Sequence, residues 1–264
     1  MTKPAPPPPL PAAWARPHRQ PGGGDAFLFY VVHGALPEQL EISASKYRCS
    51  GLPQGLEFLR YGRTGPSEAV GSFRQGFLWE QLEAGDPALA ERVAAQSECA
   101  VIRGTVADPA DLGYLREVIG LLTCLVDSGG VSILDPLMLG WWEPERWRTE
   151  VFEPDAPTPA RHVTILGTAE PGGTRWLHSH GLRKFGRPDL SMRGVPAELV
   201  DAGLSLLNRF IHLQALGGVI PEGQEVRAAP LPPGLICRHA GSVDDPEFNN
   251  LRVEIAWPAP TPAP

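Results

Sequence analysis

The chain has 264 residues, 42% hydrophobic and 20% charged, with a formal net charge of -7. That size buries a substantial core, and an acidic balance excludes a protein that coats nucleic acid, which needs a broad basic face. No stretch approaches the roughly 18 apolar residues of a membrane span and no apolar run follows Lys3, so a cytoplasmic protein with no membrane contact is expected. Cys49, Cys99, Cys124 and Cys237 lie too far apart for zinc-knuckle or redox motifs and read as reduced structural thiols, with no cofactor implied.

Residues 1–25 contain Pro6 to Pro9 and Gly22 to Gly24, which favour a solvated polyproline tail and a hinge; residues 258–264 form a matching tail. Between them a single domain is expected over 26–257, with 26–98 and 99–257 as candidate subdomains. Phe27 to His33 reads as a buried strand ended by Gly34. Asp86-Pro87 and Asp108-Pro109 each read as an N-cap followed by a first-turn proline, opening helices over about 87–97 and through Leu112, Leu115, Val118, Ile119, Leu122 and Val126 to Gly129. Cys99 to Val106 and Val131 to Leu134 flank the second helix as strands. Pro144 to Thr149 suggests a short helix beside Trp141, Trp142 and Trp147, a cluster that reads as core or, where an edge is exposed, as a contact site.

In the second half, His162 to Leu166, Trp176 to His180 and Asp189 to Arg193 read as strands, Pro196 opens a long helix whose apolar residues cover most of its circumference, and Leu235 to His239 and Leu251 to Trp257 complete a sheet. Clustered strands favour an α+β fold, a mixed or antiparallel sheet or sheets with helices packed on one face, in two related strand-helix-strand units.

One window stands out chemically. Residues 174–194 carry five Lys or Arg and a single acid, net +4, leaving -11 for the rest of the chain. Gly181 and Gly186 permit a sharp turn and Pro188 holds Arg187 extended. Arg183, Lys184 and Arg187 are therefore candidates to converge on a carboxylate or phosphate, with Arg175 and Trp176 beside them. The competing arrangement has Phe185 plugging the core and Asp189 paired with Arg187 or Arg183.

The string Gly181-Leu-Arg-Lys-Phe-Gly-Arg-Pro-Asp-Leu190 resembles the signature of a bacterial domain family of unknown function, in which Gly-Met/Leu-Arg-x-Phe-Gly-Arg/Lys-Pro-Glu/Asp-Leu precedes a helix. The segment from Leu112 to Trp147 also resembles that family's preceding portion. The resemblance implies a shared fold over about 100–257 and no activity.

His178 and His180 alternate on a strand and so share a face, which makes them candidate metal ligands with His162, Asp189, Glu170 or His239 as a third, or an acid and base pair with Asp189. Asp244 to Glu247 reads as a solvated turn. Nucleophile-elbow, phosphate-loop and dinucleotide patterns are absent. The leading expectation is a non-catalytic binding protein that recognises an acidic protein partner or small anion, compatible with a toxin-immunity or defence role. The alternative is a hydrolase or lyase using His178 and His180. The sequence leaves the oligomeric state open.

Overall fold

A computed structural model describes residues 14–63 and 68–258. The chain is α+β and divides into two compact units, one around Phe29–Pro136 and Trp141–Pro157, the other from Arg16–Leu28, Leu137–Gly140 and residues 158–258. No described helix is long and apolar enough to cross a membrane.

The first half of the chain runs β1 (Ala26–His33), α1 (Ala44–Tyr47), β2 (Leu56–Tyr61), α2 (Glu68–Ser72), α3 (Phe77–Gly85), α4 (Pro87–Ala94), β3 (Cys99–Val106), α5 (Gly113–Asp127), β4 (Ser132–Asp135), β5 (Gly140–Trp142) and α6 (Pro144–Trp147). Its five strands are ordered β2-β3-β1-β4-β5, with β2 antiparallel to β3 and β1 antiparallel to β4. Because β3 sits between β2 and β1, the chain does not divide between residues 98 and 99, where the sequence suggested a subdomain boundary.

Asp86 caps α4 as expected, its Oδ1 accepting from the Leu89 N–H at 3.0 Å. Asp108-Pro109 does not open α5. The helix starts at Gly113, whose N–H donates to Asp111 Oδ1 at 2.8 Å. The tryptophans form core: Trp142 and Trp147 are buried, Trp147 Nε1 donates to Thr123 Oγ1 at 3.0 Å, and half-buried Trp141 donates to the Leu78 carbonyl.

The second half runs β6 (Thr164–Ala169), β7 (Arg175–His180), β8 (Asp189–Val195), α7 (Val200–Ala215), β9 (Glu225–Val226), β10 (Leu235–Ser242) and β11 (Asn250–Ala256). The sheet order is β6-β7-β8-β11-β10-β9, antiparallel throughout except β8 with β11. That parallel pair requires a long return connection, and α7 lies within it. The helix expected at Pro196 opens with a 3-10 turn, Ala197–Leu199, before α7. It buries Gly203, Leu206, Leu207, Ile211, Gln214 and Ala215, whereas Val200, Leu204, Phe210 and Leu213 stay partly exposed, so its apolar circumference exceeds what the fold covers.

The expected structureless start ends earlier than residue 25. Trp14 and Arg16 are buried, and Arg16 donates to the Phe185 carbonyl at 2.8 Å. Residues 1–13 and 259–264 of the expected tails lie outside the described residues.

Candidate functional site

The β7–β8 connection carries the basic window. Gly181 and Gly186 have φ of 122° and 63°, and a Cβ on either would lie 2.3 Å from the His162 carbonyl oxygen or 2.1 Å from that of Gly24, so both positions demand glycine. Between them Leu182–Phe185 forms a 3-10 turn that drives Leu182 and Phe185 into the core.

The cations separate instead of converging, which corrects the expectation for this loop. Lys184 is fully buried. Arg187 is also buried and donates to three carbonyls: Nε to Gly218 at 3.0 Å, Nη1 to Gly186 at 2.8 Å and Nη2 to Gly217 at 2.8 Å. Neither is presented to solvent. Arg183 is partly exposed; its Nη1 donates to Asn249 O and Oδ1, each at 2.7 Å, and its guanidinium lies 4.4 Å from the Phe27 ring centroid. Arg175 is exposed and reaches the Gly167 carbonyl at 3.3 Å. Neither Arg183 nor Arg175 has an ion-pair partner among the described residues. Arg193 does: it lies 3.7 Å over Trp176 and pairs with Glu170 at 3.0 Å and Glu247 at 3.7 Å.

Asp189 pairs with no arginine. Its Oδ1 accepts from Ser179 Oγ at 2.8 Å and the Leu182 N–H at 3.2 Å, and its Oδ2 from Asn250 Nδ2 at 2.8 Å. Burial pushes its carboxyl up to about 6 against these bonds. Asn250 Nδ2 also donates to the Arg187 carbonyl, so this carboxylate ties the ends of β7, the loop and β11 together.

His178 and His180 are buried, edge to face with centroids 5.1 Å apart. Trp176 stacks on His178 at 3.9 Å and Phe248 on His180 at 5.4 Å. Burial lowers both imidazoles, His180 to about 4, so they are neutral at pH 7. Three of the four candidate third ligands are engaged elsewhere, Glu170 with Arg193 and the Gly194 N–H, His239 with the Ile220 carbonyl and Asp189 in its own network, while His162 is buried with its ring edge to face against Phe185. Among the described residues no three His, Cys, Asp or Glu side chains gather as a metal site. Asp245 closes the Asp244 to Glu247 turn, accepting from the Glu247 and Phe248 N–H groups and from Arg252.

Sequence reasoning missed two features. His33 Nδ1 lies 3.3 Å from Ser132 Oγ, both residues fully buried on neighbouring strands. Grooves also flank α7, and their signal was the excess of apolar residues on that helix. No protein family, characterised protein or solved structure matches the chain.

Proposed function

We propose that the protein is a non-catalytic binding protein that recognises an acidic partner or small anion, and that Arg183 supplies the cationic contact, Arg175 standing at the opposite end of β7. The supporting observation is the state of Arg183. One nitrogen is held by Asn249 and the plane lies on Phe27, while no carboxylate stands within ion-pairing distance, Asp244 acting on the charge only from farther away, and the group stays partly exposed. A guanidinium fixed in this way loses little side-chain freedom on meeting an anion, and charge-assisted bonds to it are stronger than neutral ones. Lys184 and Arg187 have a supporting role: they shape the loop that carries Arg183.

Titration with hexaglutamate and with inorganic pyrophosphate, followed by calorimetry, tests this reading. Arg183→Ala should weaken binding about tenfold while the variant stays folded. A wild-type protein that ignores both anions would refute it. So would a stoichiometric metal ion lost on changing His178 and His180 together to alanine, which would favour the hydrolase or lyase alternative.

A further inference from the structure

Helix α7 carries more apolar surface than the sheet beneath it consumes, and the surplus has a shape. Leu206, Phe210 and Leu213 recur along one stripe of the helix, and Val219, Ile220 and Val226 face them from the segment that returns to β9 at the edge of the sheet. Together they line a groove of about 430 Å³. Small-molecule sites commonly enclose roughly 300–1,000 Å³ with mostly apolar walls and a few placed polar groups.

The placed polar group is Arg209. It belongs to the same stripe, is exposed, and has no hydrogen-bond or ion-pair partner among the described residues. The other cation at the rim, Arg227, is already paired with Glu225, at 3.1 and 3.2 Å. Beyond Arg209 the groove continues into a second hollow lined by His18, Asn208 and His212, with Arg209 and Leu213 common to both. An apolar trough therefore ends at an un-neutralised guanidinium, which Asn208 and two imidazoles adjoin. A neutral apolar body would leave that charge without a partner, a cationic one would be repelled, and an inorganic anion would leave the trough wet.

We propose that this groove is a binding site for an amphiphilic carboxylate, its head group on Arg209 and its apolar body along Leu206, Phe210 and Leu213. The site is separate from the Arg183 surface and does not depend on it.

Calorimetric titration below the micellar range with dodecanoate, dodecyltrimethylammonium and acetate tests the proposal on the full chain. Dodecanoate should bind with one site per chain and the other two at least about tenfold more weakly, since each lacks one of the two recognition elements. Arg209→Ala should remove that preference, and Arg209→Glu should reverse it in favour of the cationic amphiphile; Arg209 is exposed, and an unchanged thermal transition would show that both variants are folded. Arg183→Ala should leave dodecanoate binding intact. Equal binding of the two amphiphiles, no binding of dodecanoate, or a preference that survives Arg209→Ala would overturn the proposal. Loss on Arg183→Ala alone would also overturn it, by moving the anion to the other surface.

Discussion

Arg187 and Asp189 lie two residues apart and both are spent on the protein's own polar groups. Arg187 holds three carbonyls in a planar fork that a lysine cannot reproduce. Arg187→Lys should therefore be nearly as harmful as Arg187→Ala, each costing about 3 kcal/mol in urea unfolding because buried carbonyls lose their donors. Space around the guanidinium is equally tight, since a Cβ on Gly23 would fall 1.8 Å from Arg187 Nη1. Asp189→Ala orphans the donors on Ser179 and Asn250 and should cost a similar amount. Asp189→Asn keeps an acceptor for two of three donors and should cost about half as much. Counting charges along the sequence located this loop but could not show where the side chains went. Gly181 and Gly186 were readable as turn residues and Phe185 as a core plug, because those roles follow from local sterics and apolarity. The donors that satisfy Asp189 come partly from Asn250, 61 positions away, and no local pattern announces them.

Among the secondary elements, the legible ones were those with a strong period or a local cap. The first strand, the strand at Cys99–Val106 and the Asp86-capped helix sit where the apolar runs and the Asp-Pro signal placed them. The strand Leu56–Tyr61 escaped notice because it lies at a sheet edge, mixes Glu57 and Arg60 into its run and buries none of its residues fully. The short helices before it and after it lack a periodic stripe long enough to read. At Gly120 two effects compete. Alanine gains about 1 kcal/mol of helix propensity over glycine. Its Cβ would sit 1.9 Å from the Tyr47 carbonyl oxygen, which is backbone and cannot swing aside. The clash prevails, so Gly120→Ala should lower the unfolding midpoint instead of raising it. Asp86→Ala, which only removes a cap, should cost about 1 kcal/mol.

For the molecule as a whole, acid sensitivity follows from which buried groups titrate. Burial lowers His33 and His180 to about 4, so between about 6.5 and 4 the unfolded chain takes up protons that the folded chain refuses, and stability falls as pH falls. Each contributes about 3 kcal/mol at most over that window. Asp189 acts in the opposite sense. Held near 6 when folded and about 4 when unfolded, it adds stability on acidification by a similar amount. His162 and His178 are also lowered and side with the other two histidines. The expected outcome is a thermal midpoint that drops steadily from pH 7 to pH 4.5, with a shallower slope for His33→Gln; a midpoint that rises toward acid would contradict this accounting.

Residues 16–24 bond to segments that come much later in the chain, His18 N–H to the Leu216 carbonyl at 3.0 Å, Gln20 N–H to that of Gly217 at 3.1 Å and Gly24 N–H to that of Gly186 at 3.0 Å. This stretch is synthesised well before its partners, so the second unit stays open at this seam until residues 216 and 217 have followed. A chain ended by a stop codon before residue 214 should leave the His18 and Gln20 amides exchanging freely with solvent and should be protease-sensitive.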